Sequence, residues 1–175
     1  MKKVYFVISI LLLVFTIGCA ASYKEIKKSE TPLKNYPKVT MMPINEDNFW
    51  EKHPKLKKKE EWVYRVNKAS KLIESKVSDY FSERGEAEGV KEVKVSAELF
   101  VFLPGIRTIC CLINISGAGN GKIGYHVKLL DGETGDTISE YDAYGTISVG
   151  IFGKGMKGAY DECANAIIGY IEDNR

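Results

Sequence analysis

Residues 93–101 read Val-Lys-Val-Ser-Ala-Glu-Leu-Phe-Val, and their alternation decides the fold class. Val93, Val95, Ala97, Leu99 and Val101 would share one side, with Lys94, Ser96, Glu98 and Phe100 on the other. A period of two is the signature of a half-buried strand. Pro104-Gly105 ends the run. Downstream, Ile123, Tyr125, Val127 and Leu129 repeat the alternation, and Asp131-Gly132-Glu133-Thr134-Gly135 supplies turn chemistry. Residues 137–149 then return as another strand, joined by a hairpin. Upstream the period changes. Over residues 56–84, Trp62, Val66, Ala69, Ile73, Val77 and Tyr80 recur at helical spacing, with Phe81 widening the stripe and Gly85 as a stop. Residues 38–43 read as a first strand closed by Pro43, followed by a loop containing Pro54. A final helix is expected over residues 154–172, with Met156, Tyr160, Cys163, Ile167 and Ile171 as its buried stripe.

The element order is therefore β-α-β-β-β-α. A helix between the first two strands makes them parallel, and the last three form an antiparallel meander. Both helical stripes can cover one sheet face. The expectation is an α+β two-layer sandwich: a mixed four-stranded sheet with two helices on one face.

The N-terminus has a different composition. Lys2 and Lys3 precede an uncharged run from Val4 to Gly18, the layout of an export signal. Fifteen helical residues cover about 22 Å, short of a hydrocarbon core near 30 Å. The run ends in Thr16-Ile17-Gly18-Cys19, which resembles the lipobox of bacterial lipoproteins, with Thr16 where leucine is usual. The resemblance implies a diacylglycerol on the Cys19 sulfur and cleavage before that residue. Two acyl chains anchor stably where one does not. Ala20 stands where lipoproteins kept at the inner membrane of two-membrane bacteria often carry aspartate. The resemblance thus favours the periplasmic face of the outer membrane, if the source has two membranes. The organisation expected is a signal peptide over residues 1–18, lipidated Cys19 with a polar tether over 19–36, and one domain over 37–175.

Removing residues 1–18 takes away two lysines and no acid, leaving 23 basic and 23 acidic side chains. A chain so balanced gives no reason to expect nucleic-acid binding.

Gly117-Ala118-Gly119, Gly121-Lys122 opening a strand, Leu130-Asp131 with Thr134-Gly135, and the glycine-rich turn before the last helix carry a further resemblance. Across residues 93–171 the chain resembles a family of bacterial envelope lipoproteins with a glycine-rich α+β domain and no assigned activity. In element order it is also similar in outline to the curli-secretion lipoprotein, which assembles into an outer-membrane pore. These likenesses imply a non-catalytic, lipid-anchored accessory or binding module with an envelope protein or lipid as partner. The alternative is a subunit of an oligomeric pore or secretion assembly, and the sequence leaves the oligomeric state open.

Other motifs are weighed on their chemistry. Gly153-Lys154-Gly155-Met156-Lys157-Gly158 spells a dinucleotide-binding turn, but the unit needs a following strand with an acid about 20 residues on, and only helix follows. Lys154 and Lys157 remain candidates for anion contact at that helix start. Residues 117–122 fail as a phosphate loop, because Ile123 replaces the required hydroxyl and a strand follows. Residues 106–116 carry one charge, Arg107. Ile109, Cys111, Ile113 and Ile115 would share a strand face that is either core or a contact for membrane or partner, with residues 147–152 beside it. Lys55, Lys57, Lys58 and Lys59 read as a solvated face, with contact to a membrane surface the lesser alternative. Neighbouring Cys110 and Cys111 are too close at their α-carbons for an unstrained bridge, so either could pair with Cys163, or all three could be small buried hydrophobes. His53 and His126 lack ligand spacing, and no metal or other cofactor is expected. Neither histidine has an evident nucleophile beside it, and the chain is not expected to be an enzyme.

Overall fold

A computed structural model describes residues 20–29, 32–83, 91–104, 121–147 and 156–175. Its strands are β1 (Ala20–Lys27), β2 (Lys38–Met41), β3 (Glu92–Leu103), β4 (Gly121–Asp131) and β5 (Thr137–Ile147), in spatial order β1-β5-β4-β3-β2. β2 runs parallel to β3, and the other neighbouring pairs are antiparallel. The helices are α1 (Asp47–Lys52), α2 (Pro54–Lys57), α3 (Glu60–Ser82) and α4 (Met156–Asp173). The α+β class, the parallel first pair and the meander match the alternation and helical periods of the sequence.

The expected four strands are five. Residues 20–27, assigned to the polar tether, form β1 along the outer edge of β5. Tyr23 turns its ring edge-on to Tyr170, with centroids 5.0 Å apart, and its hydroxyl donates to Asp173 at 2.9 Å. Glu25 accepts a hydrogen bond from the Tyr170 hydroxyl at 3.0 Å. Ser139 Oγ donates to the Lys27 carbonyl at 3.0 Å. β1 therefore packs a tyrosine and a carboxylate where a sequence pattern looks for aliphatics. The register shifts between Glu25 and Lys27, leaving Ile26 half-exposed. Such a bulge and the flanking lysines discourage further pairing at this edge.

Two smaller corrections concern the region before the long helix. The helix expected over residues 56–84 is interrupted at Lys58 and Lys59, separating α2 from α3. The expected loop contains α1, whose Phe49 and Trp50 are buried.

α3 buries Val66, Ala69, Ile73 and Val77, and α4 buries Cys163, Ala164 and Ile167, against the same sheet face. Small residues set how close α4 comes. A Cβ on Gly145 would stand 1.8 Å from the Ala159 carbonyl oxygen, so β5 and α4 touch backbone to backbone there. Cys163 is a free, buried thiol that donates to the Ala143 carbonyl at 3.6 Å, and burial pushes its pKa up. It therefore serves as a small hydrophobe rather than a reactive thiol. Polar groups inside the layer are matched. Tyr141 stacks on Tyr170 with centroids 3.8 Å apart, and the Tyr170 hydroxyl meets Ser139 at 2.6 Å. Burial is the main cause that raises the Tyr170 pKa to about 12.

Candidate functional site

The strand register gathers the features of interest at one end of the sheet. Ala20 pairs with Thr146, Ile147 with Gly121, and Lys122 with Leu103. The start of β1, the end of β5, the start of β4 and the end of β3 thus form one row. α4 begins at this end too, with Ala159 against Gly145. α3 also starts here, since the Trp62 ring meets Phe102 at 6.1 Å, one residue before β3 ends. Chain connectivity then fixes what leaves this row. Cys19 immediately precedes Ala20, residues 105–120 join β3 to β4, and residues 148–155 join β5 to α4.

Cys19, Ile109, Cys111, Ile113, Ile115 and Lys154 lie outside the described residues, as do Cys110, most of residues 117–122 and half of residues 153–158. Lys157 is described. It projects from the first turn of α4 with 78% of its side chain exposed, 3.9 Å from Asp161. That geometry is an exposed helical pair worth little.

Between α3 and α4 lies a groove of about 450 Å³ with Tyr64, Leu72, Phe102 and Tyr160 as its apolar walls and Arg65 and Lys68 on the rim. A second groove, of about 590 Å³, is polar, and two of its three carboxylates, those of Glu46 and Glu74, are committed to the fold. Glu46 accepts from Ser70 Oγ at 2.6 Å and from Trp50 Nε1 at 3.2 Å. Glu74 accepts from the Ile44 backbone N–H at 2.6 Å. Ser70 Oγ also meets the hydroxyl of Tyr125 at 3.2 Å. Burial lifts the Tyr125 pKa well above its usual range, and the Ser70 contact opposes the shift.

The sheet face away from the helices carries an arrangement that spacing along the chain does not reveal. His126 Nδ1 lies 2.9 Å from Asp142, and Nε2 lies 2.6 Å from Glu140. The Tyr144 hydroxyl donates to the other Asp142 oxygen at 3.2 Å. β4 and β5 pair His126 directly with Asp142 and place Glu140 two residues along, so the sheet register builds the cluster. Both nitrogens can donate at once only when the ring is an imidazolium. Nearby, Lys122 Nζ sits 4.4 Å from the Tyr144 ring centroid, and Phe100 meets the same ring edge-on. Among the described residues no group of three His, Cys, Asp or Glu could hold a metal ion, and no helix is long and apolar enough to cross a membrane.

No protein-family model matches the chain, and no curated protein matches it. Solved structures do. One is a PelC variant crystallised as a dodecamer, from Paraburkholderia phytofirmans. It is 12% identical, the match covers 89% of this chain and 98% of that one, and the TM-score is 0.43. Another is a provisionally assigned lipoprotein from Caulobacter crescentus CB15. It is 9% identical, with 81% and 90% of the two chains covered and a TM-score of 0.40.

Proposed function

We propose that the protein is a non-catalytic accessory lipoprotein of the bacterial envelope, held by two acyl chains on Cys19. The carrying observation is that β1 begins at Ala20, the residue after the lipobox cysteine. An anchor on Cys19 would leave no spacer, and the end row of the sheet would stand against the bilayer. Residues 106–116 and 148–152, apolar in sequence, fall within the connections that leave that row, and contact with acyl chains or a partner would suit their composition. Ala20 after the cysteine favours the outer membrane in a two-membrane cell. The absence of a catalytic role is supported by the way Glu46, Glu74, Glu140, Asp142 and His126 spend their hydrogen bonds on the fold.

The direct test is metabolic labelling with palmitate. The wild-type chain should incorporate label and fractionate with membranes, and Cys19→Ser should do neither. Undiminished labelling of the Cys19→Ser chain would refute the anchor. Native mass in mild detergent then separates the roles. A monomer, or a complex with a second envelope protein, fits an accessory module, whereas a ring of identical subunits would favour the pore-assembly reading.

A further inference from the structure

Residues 52–59 carry five lysines and no carboxylate, in a mature chain whose charges balance as a whole. Lys55, Lys57, Lys58 and Lys59 are all exposed, and none of them forms an ion pair with a described residue. Leu56 between them packs on the core, which pins the segment in place while its lysines project outward. Their neighbours fix their position. The Lys59 carbonyl accepts from the Trp62 N–H at 2.9 Å, and Trp62 rests on Phe102 at the end of β3. The next residue, Leu103, is 54% exposed and pairs with Lys122, on the row that Ala20 joins through Thr146 and Ile147.

We infer that this lysine patch is a docking surface for anionic phospholipid headgroups, used while the acyl chains on Cys19 hold the domain at the bilayer. The inference rests on the anchored reading above. A positive cluster matters only within about 8 Å of an anionic surface at physiological salt, so its location decides its effect. With the spacer removed by β1, the lysines lie on the end of the domain that faces the membrane. Glu60 and Glu61 follow at once, but Glu61 is already paired with Arg65 at 2.5 Å. The patch would tilt and hold the domain rather than recruit it, since the acyl chains supply recruitment.

The test uses the full lipidated protein reconstituted in vesicles of phosphatidylcholine, with or without phosphatidylglycerol, and modified with an amine-acylating reagent. Peptide mass spectrometry would read each lysine. Lys55, Lys57, Lys58 and Lys59 should be acylated at least about fivefold more slowly on the anionic vesicles, the factor that about 1 kcal/mol per lysine implies. Lys34 and Lys91, near the opposite end of the sheet, serve as internal controls and should not change. The protection should vanish near 1 M salt, where the Debye length is about 3 Å. Equal acylation on both vesicle types, in protein that carries palmitate and stays on the vesicles, would overturn the docking surface and leave the anchor intact. Palmitate retained by Cys19→Ser would overturn both.

Discussion

The two ends of the sheet are built differently. The end away from Cys19 is stitched together by side chains. Asp131 accepts from the backbone N–H groups of Glu133 and Thr134 and from the Tyr36 hydroxyl at 2.8 Å. Lys94 reaches the Gly132 carbonyl, the Leu33 N–H donates to Asn174, and the Arg175 guanidinium lies 5.3 Å from the Phe81 ring centroid. The end next to Cys19 shows, among its described residues, one tight backbone contact at Gly145, ring contacts of Trp62 with Phe102 and of Lys122 with Tyr144, an exposed Leu103 and exposed lysines. Among the described residues, side-chain hydrogen bonds gather at the far end, and ring contacts, an exposed leucine and exposed lysines at the near end. The contrast sets side chains that hold the fold against exposed ones on which the proposed contacts rest.

Substitutions can break or sharpen that contrast, and their effects on stability should fall in order. Gly145→Ala should be the most damaging, because its methyl meets the backbone of α4 and no rotamer relieves it. About 3 kcal/mol or more should be lost, read as the midpoint of denaturant unfolding. An unchanged midpoint would mean that α4 does not sit as close as this structure places it. Ser70→Ala, midway between the ends, strips the buried Tyr125 hydroxyl of its partner and Glu46 of a donor. It should cost about 1–3 kcal/mol, and Ser70→Thr should recover part of that.

Asp131→Asn tests the stitched end by its pH dependence. The Thr134 N–H first, then the Tyr36 hydroxyl and the Glu133 N–H, hold the Asp131 pKa below its usual range. Its contribution is therefore complete above the unfolded pKa near 4 and disappears as pH falls through the lowered folded value. The wild type should lose stability over that acid window, and Asp131→Asn should lose less. Identical acid profiles would remove Asp131 from the account. The smallest effect belongs to the other end. Replacing Lys55, Lys57, Lys58 and Lys59 together by glutamine should move the unfolding midpoint by no more than about 0.5 kcal/mol. A large destabilisation would show that the patch serves the fold after all.

Where core packing dominates, the pattern was legible. β3, β4 and β5 alternate because one face is buried under helices, and α3 and α4 carry aliphatic stripes for the same reason. β1 was not legible, because its inward positions are Tyr23 and Glu25, whose partners Tyr170 and Asp173 lie about 150 residues away. α1 escaped because six residues are too few to display a helical period, though Phe49 and Trp50 hinted at burial. The His126 cluster is invisible to spacing along the chain, since Glu140 and Asp142 reach it only across a strand pair.

By itself, then, the sequence carried the layout of an export signal and a lipobox resemblance, and it determined the α+β class, the order of the main helices and of β2 to β5, and which of their faces are apolar. These follow from local chemistry and periodicity, which need no knowledge of partners. Only the tertiary structure decided that the supposed tether is an edge strand, that Cys163 is an inert buried thiol, and that lysines 55–59 share an end with Ala20. Those facts depend on register and packing between distant segments, where one residue's neighbour is set by the whole sheet.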